Sequence, residues 1–295
     1  MDDKITINDL LNRTEKELNE IETKNKAYGL FSDYDGDDKV ISSLEMQKII
    51  IANRDPNEKK ILTKIPKIDW LIDGFRPGQL VVVSAPTRHG KTSFCQTLTE
   101  NFGEQGLNCL WFEFEVGADD FFQKFRKQIP IFYLPKVNVQ NSLIWLETRI
   151  MEGIAKFGSR IIFIDHLHYI IDMANKGHSN NFSLAVGVVM RELKRMAIKH
   201  GIVMFLVVHM KKKFKDEAPD LDDLRDSSFV AQEADIVLLL TRGQTKDTDN
   251  YVGKKILTNE VAIAVEKNRR TGKMGSVKLI YKDNYHYELD ENHEQ

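Results

Sequence analysis

Val81-Val82-Val83-Ser84-Ala85-Pro86-Thr87-Arg88-His89-Gly90-Lys91-Thr92 is the most informative segment of this chain. Its first residues are apolar or small and predict a buried strand. A short loop follows and ends in Gly-Lys-Thr, and a helical pattern then runs from Ser93 to Phe102. Strand, loop and helix in this order are typical of a P-loop, where backbone N–H groups and a helix N-terminus hold phosphates. The usual first glycine of the motif is Ala85 here, so the neighbouring sequence has to support the assignment.

The P-loop pattern assigns a role to each end of the loop. Lys91 is predicted to meet the outer phosphates of a nucleotide, and the Thr92 hydroxyl is predicted to hold Mg²⁺. We therefore expect ATP and Mg²⁺ as cofactors. The predicted phosphate-binding residues are Ala85, Pro86, Thr87, Arg88, His89, Gly90, Lys91, Thr92 and Ser93.

Composition describes an ordinary globular protein. The 295 residues are 42% apolar and 29% charged, values typical of a soluble domain with a substantial core. The formal net charge of −2 means that any nucleic-acid surface must be local. Cys95 and Cys109 have neither disulfide nor metal spacing and predict reduced core residues. No apolar run approaches the ~18 residues of a membrane span, so we expect a cytoplasmic protein without a membrane partner.

The chain divides into two parts by pattern. Residues 1–60 are charge-rich and helical in pattern, with a capping box at Ser42-Ser43-Leu44-Glu45 that opens a short helix, Met46 to Ala52. Residues 61–295 alternate apolar runs with helical patterns, notably 141–157 and 183–200, which predicts an α/β domain with a mostly parallel, buried sheet. The apolar runs are Leu80–Ser84, Cys109–Phe114, Arg160–Asp165, Ile202–Val208, Asp235–Leu240 and Val261–Val265.

The end of the chain has a different pattern. Apolar residues alternate with polar ones from Ser276 to Leu289, on either side of Asp283-Asn284. This alternation predicts an antiparallel hairpin at a sheet edge.

Acidic residues follow two of the predicted strands. Asp165 ends an apolar strand, as a carboxylate must if it is to reach the Mg²⁺ water shell at the carboxyl end of a sheet. Glu113 and Glu115 come at the end of another strand, where one carboxylate could activate the attacking water. Strict alternation places both glutamates on one face; Glu115, nearer the loop, is the preferred candidate.

Basic residues follow two further strands. His209 ends a strand expected beside the P-loop strand, where it could sense the γ-phosphate. The following Lys211, Lys212 and Lys213 predict either a solvated surface or a loop that grips a nucleic-acid backbone. A turn at residues 266–275 carries Lys267, Arg269 and Arg270. It predicts either a solvated hairpin tip or a device that projects an arginine into a neighbouring subunit's active site.

Taken in order, these motifs resemble the RecA-like motor domain of DnaB-type replicative helicases, including phage and mitochondrial ring helicases. The resemblance covers roughly Ile61 to Leu289. Residues 65–78 are similar to the family's approach to the P-loop strand, and Ala85 is itself similar to the DnaB form. The most specific stretch is 223–235, Asp-Leu-Arg-Asp-Ser-Ser-Phe-Val-Ala-Gln-Glu-Ala-Asp.

The resemblance implies further roles for residues already named. Glu115 corresponds to the catalytic glutamate and Asp165 to the Walker B aspartate, while His209 is similar to the histidine of the phage and mitochondrial branch. Lys267 and Arg269 correspond to a lysine and arginine finger acting across a subunit boundary, with Arg270 as a second candidate.

Two groups of contacts follow from the resemblance alone. Arg242 and Tyr281 correspond to positions that flank the nucleotide base. Lys211 to Lys213 fall in the loop that contacts single-stranded DNA.

The resemblance also implies an activity. We expect an ATP-dependent, hexameric ring helicase that translocates on single-stranded DNA and unwinds duplex, with a primase or loader as a possible partner. Residues 1–60 leave no room for the DnaB N-terminal domain and keep at most a linker helix for an adjacent subunit. Two alternatives are a RecA or clock-type ATPase that forms filaments or remodels protein, and an accessory or defence ATPase without unwinding activity.

Overall fold

The computed structural model describes most of the chain: residues 16–24, 26, 28, 29, 34–36, 39–52, 60–126, 129–137, 142–174, 182–210, 220–224, 227–246 and 255–289. The chain divides into two compact units, Met1–Glu58 and Lys59–Gln295.

The described part of the smaller unit contains helical segments and short non-helical stretches. Residues 16–24 are helical, and helix α1 spans Ser43–Ala52. The Ser42 hydroxyl accepts a hydrogen bond from the Glu45 N–H at 3.1 Å, as the capping-box pattern predicts. The cap lets the helix begin three residues before the predicted Met46.

The larger unit is built on one sheet. Among the described residues, eight strands form it in the order β2-β3-β4-β1-β5-β6-β7-β8. The strands are β1 (Leu80–Ala85), β2 (Cys109–Glu113), β3 (Ile161–Asp165), β4 (Val203–His209), β5 (Ile236–Lys246), β6 (Lys255–Asn268), β7 (Gly275–Lys282) and β8 (Tyr285–Glu288).

Helices cover both faces of this sheet. Their bounds are α2 (Pro66–Ile72), α3 (Lys91–Gly103), α4 (Ala118–Phe122), α5 (Leu143–Phe157), α6 (Leu167–Ala174), α7 (Phe182–His200) and α8 (Ser227–Glu233), with a 3₁₀ turn at Leu221–Asp223.

The first five strands pair in parallel, and their apolar runs are buried. Strand β1 lies between β4 and β5, with Ala85 opposite His209 and Ser84 opposite Leu239. The apolar runs of these strands pack against helices above and below, which is why they show no alternation. The predicted mostly parallel sheet and the predicted place of β4 beside β1 are therefore confirmed.

The last three strands pair antiparallel. The hairpin of β7 and β8 forms the edge of the sheet as predicted, and Asp283 and Asn284 turn it with φ of 52° and 62°. The apolar run Val261–Val265 differs from expectation, since it lies within β6, which is antiparallel to β5. Only residues 247–254 join β5 to β6, fewer than the dozen or more residues of a parallel crossover.

Two apolar layers hold the sheet between the helices. One face packs against α2 and α3 through an aromatic row of Trp111, Phe163 and Phe205, whose neighbouring ring centroids are 4.6 and 4.7 Å apart. The other face packs against α5, α6 and α7. Cys95 and Cys109 are buried free thiols, in agreement with the sequence. None of the helices in the described part of the chain is long and apolar enough to cross a membrane.

Candidate nucleotide-binding site

The carboxyl ends of the parallel strands bring the predicted site residues together. Strands β1, β3 and β4 finish at Ala85, Asp165 and His209, and we call this the P-loop end of the sheet. Glu113 lies opposite Asp165 in the register of β2 and β3. Parallel strands place their carboxyl ends side by side, so residues far apart in sequence meet here.

The P-loop connects β1 to α3 through a backbone that favours glycine. Gly90 stands at the N-cap of α3 with φ of 88°, and Arg88 also has a positive φ of 70°. The Lys91 ammonium donates a hydrogen bond to the Ala85 carbonyl at 3.2 Å and is buried. Burial lowers the pKa of Lys91, and the nearby carboxylates of Asp165 and Glu115 oppose this shift.

Thr92 and Asp165 form a pair suited to a divalent cation. The Thr92 hydroxyl donates to Asp165 Oδ2 at 2.6 Å. Within the described residues, Asp165 Oδ1 is buried and has no hydrogen-bond partner. Burial raises the pKa of Asp165 to about 6, while the Thr92 hydrogen bond acts in the opposite direction. A buried carboxylate with an unused oxygen beside a hydroxyl fits the hard oxygen ligands that Mg²⁺ prefers.

A cavity of about 250 Å³ lies over the P-loop and gathers most of the predicted residues. Ala85 and Pro86 directly precede the segment that lines it. The predicted lining residues are Thr87, Arg88, His89, Gly90, Lys91, Thr92, Ser93, Glu115, His209, Arg242 and Tyr281, and the lining residues that sequence reasoning missed are Val116, Lys124, Val261 and His286.

The two glutamates after β2 have different surroundings. Glu113 is buried, and its Oε1 accepts hydrogen bonds from the N–H groups of Glu115 and Val116 at 2.7 and 3.0 Å. Burial, and then the charge of Asp165, raise the pKa of Glu113 to about 8. Glu115 lines the cavity instead, with 42% of its side chain exposed. Strand β2 ends at Glu113, so the alternation on which the expectation of one shared face rested does not extend to Glu115.

Two histidines lie beside Glu115. Glu115 Oε2 is 3.8 Å from His166 Nε2 and 3.9 Å from His209 Nε2. Sequence reasoning predicted His209 but missed His166. The signal was its position directly after Asp165, at the end of the adjacent strand.

Residues of β5 and of the C-terminal hairpin also line the cavity. The Arg242 N–H donates to His89 Nδ1 at 3.0 Å, and its guanidinium Nε donates to the Thr258 carbonyl at 2.7 Å. The His286 ring lies 4.8 Å from the Tyr281 ring, and its Nδ1 is 3.0 Å from the Thr97 hydroxyl. Burial lowers the pKa of His286 to about 4. No motif marks His286, since it is one of several alternating residues in an edge strand.

Lys267 and Arg269 lie at the opposite end of the sheet. We call this the turn end, where β1 and β5 begin and β6 finishes at Asn268. Lys267 pairs with Val237 in the β5–β6 register and donates to the carbonyls of Ala231 and Gln232. The pKa of Lys267 is lowered by burial, and then by the charge of Arg269.

Asp235 organises the turn end. Its carboxylate accepts the Leu80 N–H at 2.8 Å and the Lys194 ammonium at 2.6 Å, and it lies 3.4 Å from the Arg269 guanidinium. Arg269 also donates to the Gln232 carbonyl, and its backbone N–H donates to the Asp235 carbonyl at 2.8 Å. The last aspartate of the 223–235 stretch thus holds both β1 and the basic turn.

Arg270 is directed to a different part of the turn end, the C-terminus of α2. Its guanidinium donates to the carbonyls of Ile72, Asp73 and Gly74 and lies 2.8 Å from the Asp73 carboxylate. Carbonyls at a helix C-terminus lack intrahelical partners, so Arg270 satisfies groups that α2 leaves open.

The structure does not bring the turn end to the P-loop of the same chain. Asn268 pairs with Ile236, which is the neighbour of Val81, and Ala85 lies four residues further along β1. Four strand residues span about 13 Å, and the phosphate loop lies beyond them. Lys267 and Arg269 are therefore remote from the Lys91 of their own P-loop.

Some predicted residues lie outside the described part of the chain. These are Lys211, Lys212 and Lys213 of the predicted DNA-contacting loop, and Arg225 and Asp226 of the 223–235 stretch.

The sequence is similar to known replicative helicases. The chain is 26% identical over 261 residues to the "Replicative DNA helicase DnaB" of Mycoplasma genitalium, with coverage of 73% of this chain and 53% of that protein. It is 26% identical over 317 residues to the protein of the same name from Helicobacter pylori strain J99, with coverage of 91% and 63%. The chain thus spans roughly half to two thirds of these relatives.

The fold is similar to solved structures of related domains. A solved structure described as an ATPase domain matches with a TM-score of 0.69 at 19% identity, covering 86% of this chain and all of that one. "The Structure Of A DnaB-Like Replicative Helicase And Its Interactions With Primase" matches with a TM-score of 0.66 at 20% identity, covering 95% and 72%. These matches confirm the RecA-like α/β fold.

A family model decides the assignment. The model of the DnaB-like helicase C terminal domain matches residues 126–288, more than half of the chain and including Asp165, His209 and the basic turn. The chain belongs to the DnaB-like helicase C-terminal domain family.

Proposed function

We propose that this chain is an ATP-hydrolysing DNA helicase motor whose active site is completed by a neighbouring copy. One observation carries the proposal: the phosphate-binding residues and the basic turn lie at opposite ends of one sheet. Each copy then offers half a site at either end, and two copies in head-to-tail contact can form one whole site. Head-to-tail contacts close into a ring when the rotation between copies allows it.

In this proposal the P-loop end holds the nucleotide. The backbone of residues 85–90, the N-terminus of α3 and the Lys91 ammonium bind the phosphates, since all three present positive potential to one point. Arg242 and Tyr281 flank the base. Glu115, exposed to the cavity, orients and activates the attacking water, and His209 contacts the γ-phosphate.

Mg²⁺ is proposed to bind at Thr92 and Asp165. The bound ion would neutralise charge on the phosphates. The unused Oδ1 of Asp165 supports this assignment, because a buried carboxylate without full hydrogen bonding is a costly arrangement unless a cation accompanies it.

The turn end supplies the other half. Arg269 is proposed as the finger that stabilises charge on the transferring phosphoryl group of the neighbour, with Lys267 beside it. Arg269 is half-exposed, whereas Arg270 is committed to the carbonyls at the end of α2. This difference favours Arg269 over Arg270.

The assembly and its partners belong to the same proposal. The relatives are named as replicative DNA helicases, and we infer that this chain forms a hexameric ring on single-stranded DNA. Lys211, Lys212 and Lys213 are proposed to contact the strand without base selection. A primase or a loader is the proposed protein partner.

The test is an ATPase assay with and without single-stranded DNA, beside particle imaging and strand displacement on a forked duplex. We expect Mg²⁺-dependent turnover stimulated by the single strand, ring particles and displacement. Filaments with turnover but no displacement would contradict the helicase assignment in favour of a recombinase-like ATPase. Monomers without turnover would indicate an accessory module.

A further inference from the structure

Three metal-ligand side chains outside the proposed Mg²⁺ pair meet at the P-loop end. Glu115 follows β2, His166 follows β3 and His209 ends β4. These strands are neighbours in the order β2-β3-β4, so the sheet sets the three side chains beside one another. Within the part of the chain that the structure describes, this is the one group of three such residues close enough to share an ion.

We propose that Glu115, His166 and His209 form a binding site for a transition-metal dication of the Zn²⁺ class. The proposal adds His166, to which neither the sequence nor the proposed mechanism gives a role. It also predicts a ligand distinct in chemistry from the Mg²⁺ at Thr92 and Asp165.

The three donor atoms are close, and side-chain adjustments of at most about 1.4 Å would bring them to the spacing of metal ligands. Glu115 Oε2 lies 3.8 and 3.9 Å from the Nε2 atoms of His166 and His209, and all three donor atoms lie within 4.8 Å of one another. A tetrahedral Zn²⁺ with bonds of about 2.0–2.2 Å holds its ligand atoms about 3.4 Å apart. The carboxylate, the most exposed member of the group, therefore has to approach each imidazole by about half an ångström. The two imidazole nitrogens, which lie within 4.8 Å of each other, have to close by at most about 1.4 Å.

The donor chemistry selects the class of metal. Two imidazoles and one carboxylate with an open position suit Zn²⁺ and its first-row neighbours, whereas Mg²⁺ prefers oxygen ligands and keeps its waters.

Binding selects one tautomer of His166. Its Nδ1 accepts the backbone N–H of His168 at 3.2 Å, whereas a metal at Nε2 requires the proton on Nδ1. The loss of this single hydrogen bond is a small cost beside the affinity with which histidine and carboxylate ligands hold Zn²⁺.

The consequence for turnover rests on the proposed function. Glu115 is the proposed activator of the attacking water, and His209 the proposed γ-phosphate contact. A metal bound to both would remove them from the reaction, so the site would act as a metal-controlled brake.

The test uses the full chain in the absence of nucleotide. Co²⁺ is added as a visible probe for Zn²⁺. We expect one Co²⁺ per chain with absorption bands of low-coordinate geometry, displaced by Zn²⁺ and insensitive to excess Mg²⁺. His166→Asn should weaken binding about 100-fold, given that even changes to the residues that orient a ligand cost about 10–100-fold.

The matched control is His168→Asn. Its ring lies 5.2 Å from that of His166 but is not a member of the group, so the Co²⁺ affinity should not change. The site would be overturned if His166→Asn bound Co²⁺ as tightly as the unaltered protein. It would also be overturned if His166→Asn and His168→Asn lost Co²⁺ affinity equally. Thermal unfolding checks that the variants fold.

One further measurement needs no variant, and another separates the metal-site proposal from the motor proposal. X-ray absorption of the Zn²⁺-loaded protein should show two imidazole ligands, and an all-oxygen shell would refute the site. Zn²⁺ should inhibit Mg²⁺-ATP turnover, and inhibition should be lost in His166→Asn. Turnover without Co²⁺ binding would reject the metal site alone, whereas Co²⁺ binding without turnover would reject the motor alone.

Discussion

The two ends of the central sheet hold their charged groups in opposite ways. At the P-loop end, Asp165, Glu113 and His166 are buried or half-buried, and their pKa values are shifted towards the neutral form mainly by burial. At the turn end, Lys267 and Arg269 are fixed by backbone carbonyls of α8 and by Asp235.

The P-loop end is therefore marked by groups with perturbed pKa values, whereas the turn end is marked by cations held in fixed positions. Perturbed carboxyl and imidazole groups in a cavity are typical of a site that binds and reacts. Cations fixed by carbonyls and by Asp235 at a half-exposed turn are held in a defined position, as the proposed action on a neighbouring copy requires.

Arg269→Ala should have the largest effect. Arginine fingers are worth about 10³–10⁵ in turnover, so we expect a loss of that order with nucleotide affinity nearly unchanged. Steady-state ATPase assays and nucleotide titration measure the two quantities.

Mixing two variant chains tests whether Arg269 of one copy acts at the Lys91 site of another. Arg269→Ala and Lys91→Ala chains should each lose turnover alone, but in mixed assemblies some interfaces would pair an intact Lys91 with an intact Arg269. Partial recovery of turnover is expected. No recovery in verified mixed assemblies, or full activity of Arg269→Ala, would show that the two ends do not cooperate.

Glu115→Gln should reduce turnover about 10²–10⁴-fold, the usual contribution of a positioned general base. Nucleotide affinity should hold, because the amide keeps the size of the side chain. Glu152→Gln on α5, where Glu152 pairs with Lys156 at the surface, is the matched control and should retain turnover. Equal rates in the two variants would exclude Glu115 as the base.

His286 should make the free energy of unfolding depend on pH in the acidic range. Its pKa is lowered from 6.5 to about 4 by burial, so the unfolded chain takes up the proton first as pH falls. The free energy of unfolding should therefore decrease as pH falls from about 6.5 to about 4, by about 3 kcal/mol from this residue. Denaturant titrations across this range measure the slope.

Two variants check the source of that slope. His286→Asn and His286→Phe both remove the titrating ring, so both should flatten the pH dependence whatever they cost at neutral pH. A slope identical to that of the unaltered protein in both variants would refute the assignment to His286.

Arg270→Ala should have the smallest effect, and on stability alone. Loss of hydrogen bonds from a charged donor to the carbonyls at the end of α2 should lower the free energy of unfolding by about 2 kcal/mol. ATP turnover should persist. A collapse of turnover equal to that of Arg269→Ala, with stability unchanged, would make Arg270 the finger instead.

Local pattern was enough to predict much of this molecule. The strand, loop and helix around Lys91, the apolar run into Asp165 and the alternation around Asp283-Asn284 each specify their own element, because periodicity and turn chemistry act over a few residues. The place of His209 beside Ala85 followed from the topology that such strands adopt.

Other features depend on contacts between distant segments. The antiparallel course of β6 and the approach of His286 to Thr97 have no local signature. Likewise, the burial of Glu113 and the exposure of Glu115 depend on where β2 ends.

The chemical groups that this chain carries, and the strands that present them, can therefore be read from its residues alone. Which of these groups meet depends on how the strands pack together. Glu115, His166 and His209 come together because β2, β3 and β4 are neighbours, and Arg269 is kept from Lys91 because β6 runs antiparallel and finishes at the far end of the sheet. Strand order and direction follow from the packing of the whole sheet, which no short stretch of residues encodes.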